Sequence, residues 1–176
     1  DRRQLTRANV DILFAPPVEE IYPDRNRPGT VVSVPGLSGI LCGQFRPGHF
    51  DGVASVVTRL FNIVQPDSAV FGQKDYQQLL VIRRIQSDLH LPVKIVAAAT
   101  VREPDGLALS SRNQYLDDAQ RAIAPGLYRT LADCAASLGQ GSREFAELEH
   151  RGMAGLVAAG FRPDYFALRN ATDLSL

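Results

Sequence analysis

The clearest alternation of hydrophobic and polar positions lies in the middle of the chain. Residues 53–64 carry apolar side chains at helical spacing, which predicts an amphipathic helix. Apolar runs at 69–71 and 93–99 predict two strands, and residues 79–89 place apolar side chains on one stripe of a helix between them. Strand, helix and strand with short links form a βαβ unit, which implies parallel pairing and a right-handed crossover.

The pattern on either side of this unit is weaker. Residues 5–9 resemble the end of a helix, and the runs 10–14 and 30–34 are predicted as strands because prolines stop them. Helical faces follow near 117–138 and 142–159, with Ser142 as the expected N-cap and Gly160 after the end. Residues 165–169 are predicted as a strand. We therefore predict an α/β fold, with one domain at 1–100 and a smaller α+β domain at 101–176.

Composition narrows the class of protein. The chain is 45% hydrophobic, and 19 basic residues balance 19 acidic ones, which argues against a mainly electrostatic nucleic-acid binder. No apolar stretch has membrane-spanning length and the start lacks a signal-peptide core, so we expect a cytoplasmic protein with neither nucleic-acid nor membrane partners. Cys42 and Cys134 form no CxxC motif and are expected to be small buried residues. No metal-binding spacing occurs, so the metal ligands stay unassigned.

Candidate chemistry is concentrated in the segment 72–78, where the first strand of the unit gives way to its helix. Ligands bind at this edge in open α/β sheets. Counting back in fours from Ile82 reaches Gln78 and Lys74, so both extend the buried stripe into the crevice. Lys74 lies beside the free N–H groups of the first turn and suits an anion, and Gln78 suits a polar substrate. The alternative, that Lys74 and Asp75 are surface residues at a helix start, stays equally open.

Two further segments are expected near this edge. Residues 100–102 end the second parallel strand, and the hydroxyls and guanidinium at 110–112 suit phosphate oxygens, although an ordinary polar turn has the same composition. Arg46 and His49 flank a Pro-Gly turn. They suit a carboxylate or a phosphate, and a loop held by local hydrogen bonds is an equal alternative.

Four segments resemble the pantoate–β-alanine ligase family: DILFAPPVEEIYP, VPGLSGILCGQFRPGHFDGV, FNIVQPDSAVFGQKDYQQL and DGLALSSRNQYL. The resemblance implies a Rossmann-like parallel sheet of the nucleotidyltransferase superfamily. It also implies condensation of pantoate with β-alanine, driven by ATP and magnesium through a pantoyl adenylate, in a cytoplasmic homodimer. The family begins with a PTMGxLHxGH segment that this chain lacks, and it continues beyond residue 176. The sheet and the C-terminal domain are therefore expected to be truncated and the fragment to be inactive alone.

The resemblance also assigns residues. The nucleotide-binding positions are Gly72, Gln73, Lys74, Asp75, Val101, Leu109, Ser110, Ser111 and Arg112. The catalytic positions are Lys74, Ser110, Ser111 and Arg112. Gln78 matches a glutamine that contacts pantoate, and Arg46 and His49 match a loop that borders the active site. Two alternatives stay open: a nucleotidylyltransferase of the same superfamily that stops at nucleotide transfer, and a non-catalytic fragment.

Overall fold

The structure is a computed structural model that describes residues 2–23 and 29–176, and it divides into two compact units, Asp1–Val31 and Val32–Leu176. The first unit contains α1 (Arg2–Arg7) and α2 (Val18–Ile21). The strand predicted at 10–14 is wrong. Its apolar side chains are between 46% and 83% exposed, and no neighbouring strand among the described residues of this unit offers a ladder. The loop predicted at 23–29 lies mostly outside the described residues.

The βαβ unit is confirmed in the second unit. Its elements are β1 (Ser68–Gly72), α5 (Tyr76–Asp88) and β2 (Lys94–Ala98), and they are preceded by the helices α3 (Cys42–Phe45) and α4 (His49–Val64). β1 and β2 pair in parallel, with Ser68 opposite Lys94 and Gly72 opposite Ala98. The helix predicted at 53–64 begins four residues earlier, at His49. Gly48 allows that start because it adopts a left-handed conformation (φ +76°) at the N-cap.

One face of this sheet packs on α4 and α5. Along β1 exposed and half-buried residues alternate, so Ala69 and Phe71 turn toward the helices. The ring of Phe71 meets Phe61 of α4 edge to face, with centroids 6.3 Å apart. Ile82 of α5 is fully buried in this cluster. The packing places the carboxyl ends of both strands beside the N-terminus of α5, which is where the candidate chemistry lies.

A second cluster buries another face of α5. Val81 and Ile85 pack there with Phe50 of α4 and with Leu174 near the C-terminus. Because α5 is covered on two sides, the prediction of a single buried stripe is too narrow. Leu89, which we placed on that stripe, lies beyond the helix and is 47% exposed.

The strand predicted around 30–34 is also wrong, and a helix side chain explains why. The backbone N–H of Val32 donates to the Oγ atom of Ser55 on α4 at 2.9 Å, and Ser33 Oγ donates to Asp51 at 2.8 Å. The side chains of Ser55 and Asp51 thus supply the hydrogen-bond partners that a neighbouring strand would otherwise offer to this segment. β1 and β2 are the strands of the sheet in the described part of the chain.

Three helices follow the sheet: α6 (Asp118–Ile123), α7 (Gly126–Gly139) and α8 (Phe145–Ala158). Asp117 and Gln120 form a capping box at the start of α6, as acidic residues there suggested. Ser142 is not an N-cap, because its N–H donates to Ser137 O and the residue still belongs to the turn that ends α7. Gly160 (φ +91°) follows the end of α8 as predicted.

The terminal segment forms no strand, so the prediction for 165–169 is wrong. The Glu149 carboxylate on α8 accepts the N–H of Leu168 at 2.6 Å and pairs with Arg169 at 2.9 Å. A side chain thus occupies the place of a ladder partner.

Both cysteines are free, with Cys134 buried and Cys42 half-buried. No helix of the described residues is long and apolar enough to cross a membrane. The domain boundary at 100/101 stays a prediction.

Candidate active site

The junction between β1 and α5 is a 3₁₀ turn at Gln73–Asp75. This turn delays the start of α5 to Tyr76 and leaves Lys74 outside the helix. The Lys74 Nζ atom lies 3.8 Å from Asp75 Oδ1, and the side chain is 39% exposed. An exposed pair at that separation holds a lysine weakly, so the ammonium of Lys74 is available to an anion.

The first of two cavities at this junction, here called the Arg112 cavity, has a volume of about 470 Å³. That volume lies within the range of small-molecule sites. Its walls come from the β1–α5 turn, the loop after β2, and α7. The lining residues are Gln73, Lys74, Thr100, Arg102, Leu107, Ala108, Ser110, Arg112, Asn113, Ala124, Leu127, Tyr128 and Leu131.

A tight turn after β2 shapes one wall of the Arg112 cavity. Arg102 and Ala108 form an antiparallel bridge, and Arg102 Nη1 donates to the carbonyl oxygen of Gly106 at 3.1 Å. The guanidinium lies 3.9 Å from the centroid of the Tyr128 ring. Gly106 has φ +94°, and a Cβ there would lie 2.4 Å from that ring. The turn therefore needs glycine, and it fixes Arg102 at the cavity.

Hydrogen bonds inside the next segment hold the backbone of Arg112. Ser110 caps a 3₁₀ turn at Ser111–Tyr115, because its Oγ atom accepts the N–H of Arg112 at 3.2 Å. Asn113 Nδ2 donates to the carbonyl oxygen of Ala108 at 3.0 Å. Arg112 makes no ion pair within the part of the chain that the structure describes. Its charge is therefore free for a ligand in the cavity.

The second cavity, here called the His49 cavity, has a volume of about 280 Å³. The turn between α3 and α4 supplies one wall, and the first turn of α5 supplies another. The lining residues are Leu41, Cys42, Arg46, His49, Phe50, Lys74, Asp75, Tyr76, Gln77, Gln78, Tyr165 and Leu174. Apolar and cationic groups together suit a small organic acid.

His49 begins α4, and its N–H donates to the carbonyl oxygen of Arg46 at 3.1 Å. Burial and then the charge of Arg46 lower the pKa of His49 from its ordinary 6.5, against an opposing effect of Asp75. The imidazole is therefore neutral at pH 7. In that form it can accept a proton.

Two adjacent glutamines of α5 reach this cavity in different ways. Gln77 is 9% exposed, and its Nε2 atom donates to the carbonyl oxygens of Leu37 and Ile40, both at 2.8 Å. Gln78 is half-buried. Sequence reasoning missed Gln77, although the apolar residues Val81 and Ile85 follow it along the chain at intervals of four. That spacing is the signal that could have indicated a second buried stripe.

Lys74 is the residue that lines both cavities. Of the residues predicted to bind ligands, the Arg112 cavity brings together Gln73, Lys74, Ser110 and Arg112, and the His49 cavity brings together Arg46, His49, Lys74, Asp75 and Gln78. Four predicted residues line neither cavity: Gly72, Val101, Leu109 and Ser111. Tyr128 and Tyr165 line the cavities without having been predicted. No group of three metal-ligating side chains occurs among the described residues.

Comparison with known proteins identifies the family. All of residues 1–176 match the family model described as pantoate-beta-alanine ligase. The chain belongs to this family. A pantothenate synthetase of Pseudomonas putida KT2440 is 59% identical over 174 residues, which are 99% of this chain and 61% of that protein. This chain therefore spans about 61% of the length of that member of the pantoate-beta-alanine ligase family.

Solved structures of family members agree with the fold. The pantothenate synthetase of Thermus thermophilus is 51% identical, with a TM-score of 0.91, and the match covers 99% of this chain and 63% of that one. A pantoate-beta-alanine ligase of Francisella tularensis, solved with β,γ-ATP and β-alanine, is 34% identical with a TM-score of 0.71. That match covers 88% of this chain and 57% of the other. The predicted family and the α/β fold with a parallel sheet are confirmed.

Proposed function

We propose that this chain is part of an enzyme that condenses pantoate with β-alanine at the expense of ATP, which is cleaved to AMP and pyrophosphate. The single observation that carries the proposal is the place of Lys74 in the linings of two adjoining cavities. A reaction between a triphosphate and a small acid needs one cation near both. The ATP and β-alanine bound to the Francisella relative support the same assignment.

ATP is assigned to the Arg112 cavity. Its volume is the larger of the two, and Lys74, Arg102 and Arg112 supply three positive charges around it. The capping bond of Ser110 holds the Arg112 backbone in place before the ligand arrives. Positive charges gathered around a phosphate stabilise its oxygens as charge develops in the transition state. The family resemblance adds Ser111, Leu109 and the backbone of Val101 as proposed nucleotide contacts, although these residues lie outside the lining of this cavity.

Pantoate is assigned to the His49 cavity. Gln78 offers both a donor and an acceptor to the hydroxyl groups of such an acid, and Arg46 and Lys74 offer charge to its carboxylate. Leu41, Phe50 and other apolar lining residues suit its aliphatic body. The carboxylate would then face Lys74, on the side of the ATP.

The chemistry takes two steps. A carboxylate oxygen of pantoate forms a bond to the α-phosphorus of ATP, and the bond to the pyrophosphate oxygen breaks. The amine of β-alanine then forms a bond to the acyl carbon, the bond from that carbon to the AMP oxygen breaks, and the surplus amine proton passes to solvent. Neither step requires a protein nucleophile. The residues act by holding the reactants and by neutralising charge.

Magnesium fits this site only as a companion of ATP. The lining of the Arg112 cavity contains no carboxylate, and no three-ligand group occurs in the described ranges. Mg²⁺ commonly binds through substrate phosphates and water with few protein ligands.

We further propose, from the family resemblance, a homodimeric enzyme of the cytoplasm. Sedimentation analysis of the purified protein tests the dimer.

Replacing Lys74 by alanine tests the proposal. In the complete enzyme of which this chain is part, Lys74→Ala should slow pyrophosphate formation at least about 100-fold, which is the usual effect of removing one transition-state donor. Lys94→Ala is the matched control, because Lys94 is an exposed lysine at the start of β2 that lines neither cavity. A near-normal rate in Lys74→Ala would remove Lys74 from the mechanism.

Omitting β-alanine tests the type of reaction. A ligase should show sustained release of AMP only when the amine is present. Release of pyrophosphate without any dependence on β-alanine would favour the nucleotidylyltransferase alternative. Absence of both products from the complete enzyme with all substrates present would contradict an enzymatic role.

A further inference from the structure

One aromatic residue far along the chain completes the His49 cavity. Tyr165 lines it together with Arg46, His49 and Gln78. We propose that Tyr165 determines specificity, its ring forming the wall against which the aliphatic body of a short hydroxy acid packs and which excludes bulkier acids. The inference rests on the proposed function, since it concerns the acid that occupies this cavity.

The ring of Tyr165 is held in place from the loop side of the cavity. It stacks on Phe45, with centroids 5.9 Å apart and an angle of 21° between the planes. Phe45 ends α3 and directly precedes Arg46. The stack therefore joins the proposed wall to the loop that carries the cationic group for the carboxylate. A change in the position of one would be transmitted to the other.

The segment that follows Tyr165 is fixed on α8. Phe166 packs against Gly152, where a Cβ atom would lie 2.5 Å from the ring, so this helix surface must be glycine. Leu168 and Arg169 both bond to Glu149. Because its neighbours are anchored by these contacts, Tyr165 is positioned before any ligand binds. Preorganised walls of this kind give selectivity without an ordering cost at binding.

The surroundings of Tyr165 suit an acid ligand. Tyr165 is 41% exposed, and its partial burial is the main cause that raises the pKa of its phenol above the ordinary value of 10.0, so the hydroxyl is uncharged at neutral pH. A neutral ring does not repel a carboxylate. Leu174 and Leu41 extend the apolar surface, and the cavity of about 280 Å³ limits the size of the acid.

Titration of the purified protein with pantoate, with 2-hydroxy acids of larger side chains, and with ATP tests this role. Tyr165→Ala should weaken pantoate binding by about 10-fold or more, the usual scale for a lost apolar contact in a specificity pocket. The same substitution should reduce the ratio of pantoate affinity to the affinity for bulkier acids. The affinity for ATP should stay within about twofold of the wild-type value. Tyr165→Phe, which keeps the ring, should restore pantoate affinity. Tyr165→Trp, which fills more space, should bind bulky acids least.

Tyr115→Ala is the control, because Tyr115 is 77% exposed and lines neither cavity. Unchanged pantoate affinity in both Tyr165→Ala and Tyr165→Trp overturns the inference and leaves the proposed function standing. Equal losses of pantoate and ATP affinity in both variants overturn it too, since they indicate a general structural role. If the wild-type protein binds ATP but does not bind pantoate, pantoate is not its substrate. That result contradicts both the proposed function and the inference about Tyr165.

Discussion

At the scale of single residues, neighbours in sequence perform different tasks. Gln77 and Gln78 are adjacent on α5, yet only Gln77 is tied to backbone carbonyls, those of Leu37 and Ile40. Both donors of its amide nitrogen are used, which connects the turn before α3 to the helix that carries Gln78. Gln77 therefore supports the shape of the cavity, although its buried Oε1 atom has no hydrogen-bond partner among the described residues. Gln78 is the proposed ligand of pantoate.

Replacing each glutamine by methionine separates these tasks. Gln77→Met should lower the free energy of unfolding by about 2 kcal/mol, because two carbonyl oxygens lose their donors. Gln78→Met should change it by less than about 0.5 kcal/mol and should instead weaken pantoate binding. Urea unfolding and calorimetric titration measure the two effects. Equal stability of the two variants would contradict the assigned division.

Two substitutions should shift the pKa of His49 in opposite directions. Arg46→Gln removes a positive charge and should raise this pKa toward 6.5, whereas Asp75→Asn removes a negative charge and should lower it further. An NMR titration of the histidine ring protons measures both. Shifts in the same direction would show that at least one of the two charges does not act on His49 as described.

The lowered pKa also links His49 to stability. In the unfolded chain this histidine binds a proton near pH 6.5, but in the folded chain it does so only at lower pH. Between these values protonation favours the unfolded state. His49 should therefore reduce stability as the pH falls from about 6.5 through the lowered pKa.

Lys74 and Gln78 could be predicted at the cavities because both precede Ile82 at intervals of four, although Lys74 lies in the 3₁₀ turn before α5 and not on the helix itself. Tyr165 could not be found in this way. It lies in an irregular segment, so no periodicity indicates its direction, and only the anchoring of its neighbours on α8 brings it to the His49 cavity. Tyr128 was not predicted for a different reason. The face of α7 that we expected to pack in the core lines the Arg112 cavity instead.

At the scale of elements, patterning predicted the elements that bury an apolar face. The helices α4 and α5 and both strands of the sheet were found because their burial is periodic. The strands predicted around 30–34 and at 165–169 failed where Ser55 and Glu149 supply hydrogen-bond partners. Such partners come from distant parts of the chain, and no local pattern encodes them.

The capping box of α6 makes a prediction at this scale. Asp117 Oδ1 accepts the N–H of Gln120 at 2.7 Å, and the Gln120 side chain accepts the N–H of Asp117. Asp117→Ala should lower the free energy of unfolding by about 1 kcal/mol. Asp118→Ala, which leaves the cap intact, should cost about 0.3 kcal/mol through the lost charge near the helix end. Chemical denaturation of both variants provides the comparison, and equal losses would refute the capping role.

At the scale of the larger unit, the C-terminal segment returns to the core of the sheet domain. Leu174 is buried with Val81 and Ile85, and the Tyr76 hydroxyl donates to the carbonyl oxygen of Ala171 at 2.7 Å. The last residues therefore stabilise the helix that begins beside Lys74. They also form part of the wall of the His49 cavity.

Truncating this contact should affect the whole unit. Leu174→Ala should lower the free energy of unfolding by about 2–3 kcal/mol through the cavity that it leaves. Leu176→Ala is matched in chemistry but fully exposed, and it should change stability by less than about 0.5 kcal/mol. Thermal and urea unfolding measure both. A loss in Leu174→Ala no larger than that in Leu176→Ala would show that the segment does not anchor the core.

The place of Lys74 between the two cavities has a thermodynamic consequence. Two anionic ligands that draw on one ammonium are coupled, since each reduces the positive potential that the other experiences, and linkage makes that penalty equal in both directions. A divalent cation on the triphosphate offsets much of the added negative charge. In the proposed reaction, metal-bound ATP is therefore the form of the nucleotide that best tolerates an acid beside it. Free ATP and the acid would compete, although they occupy different cavities.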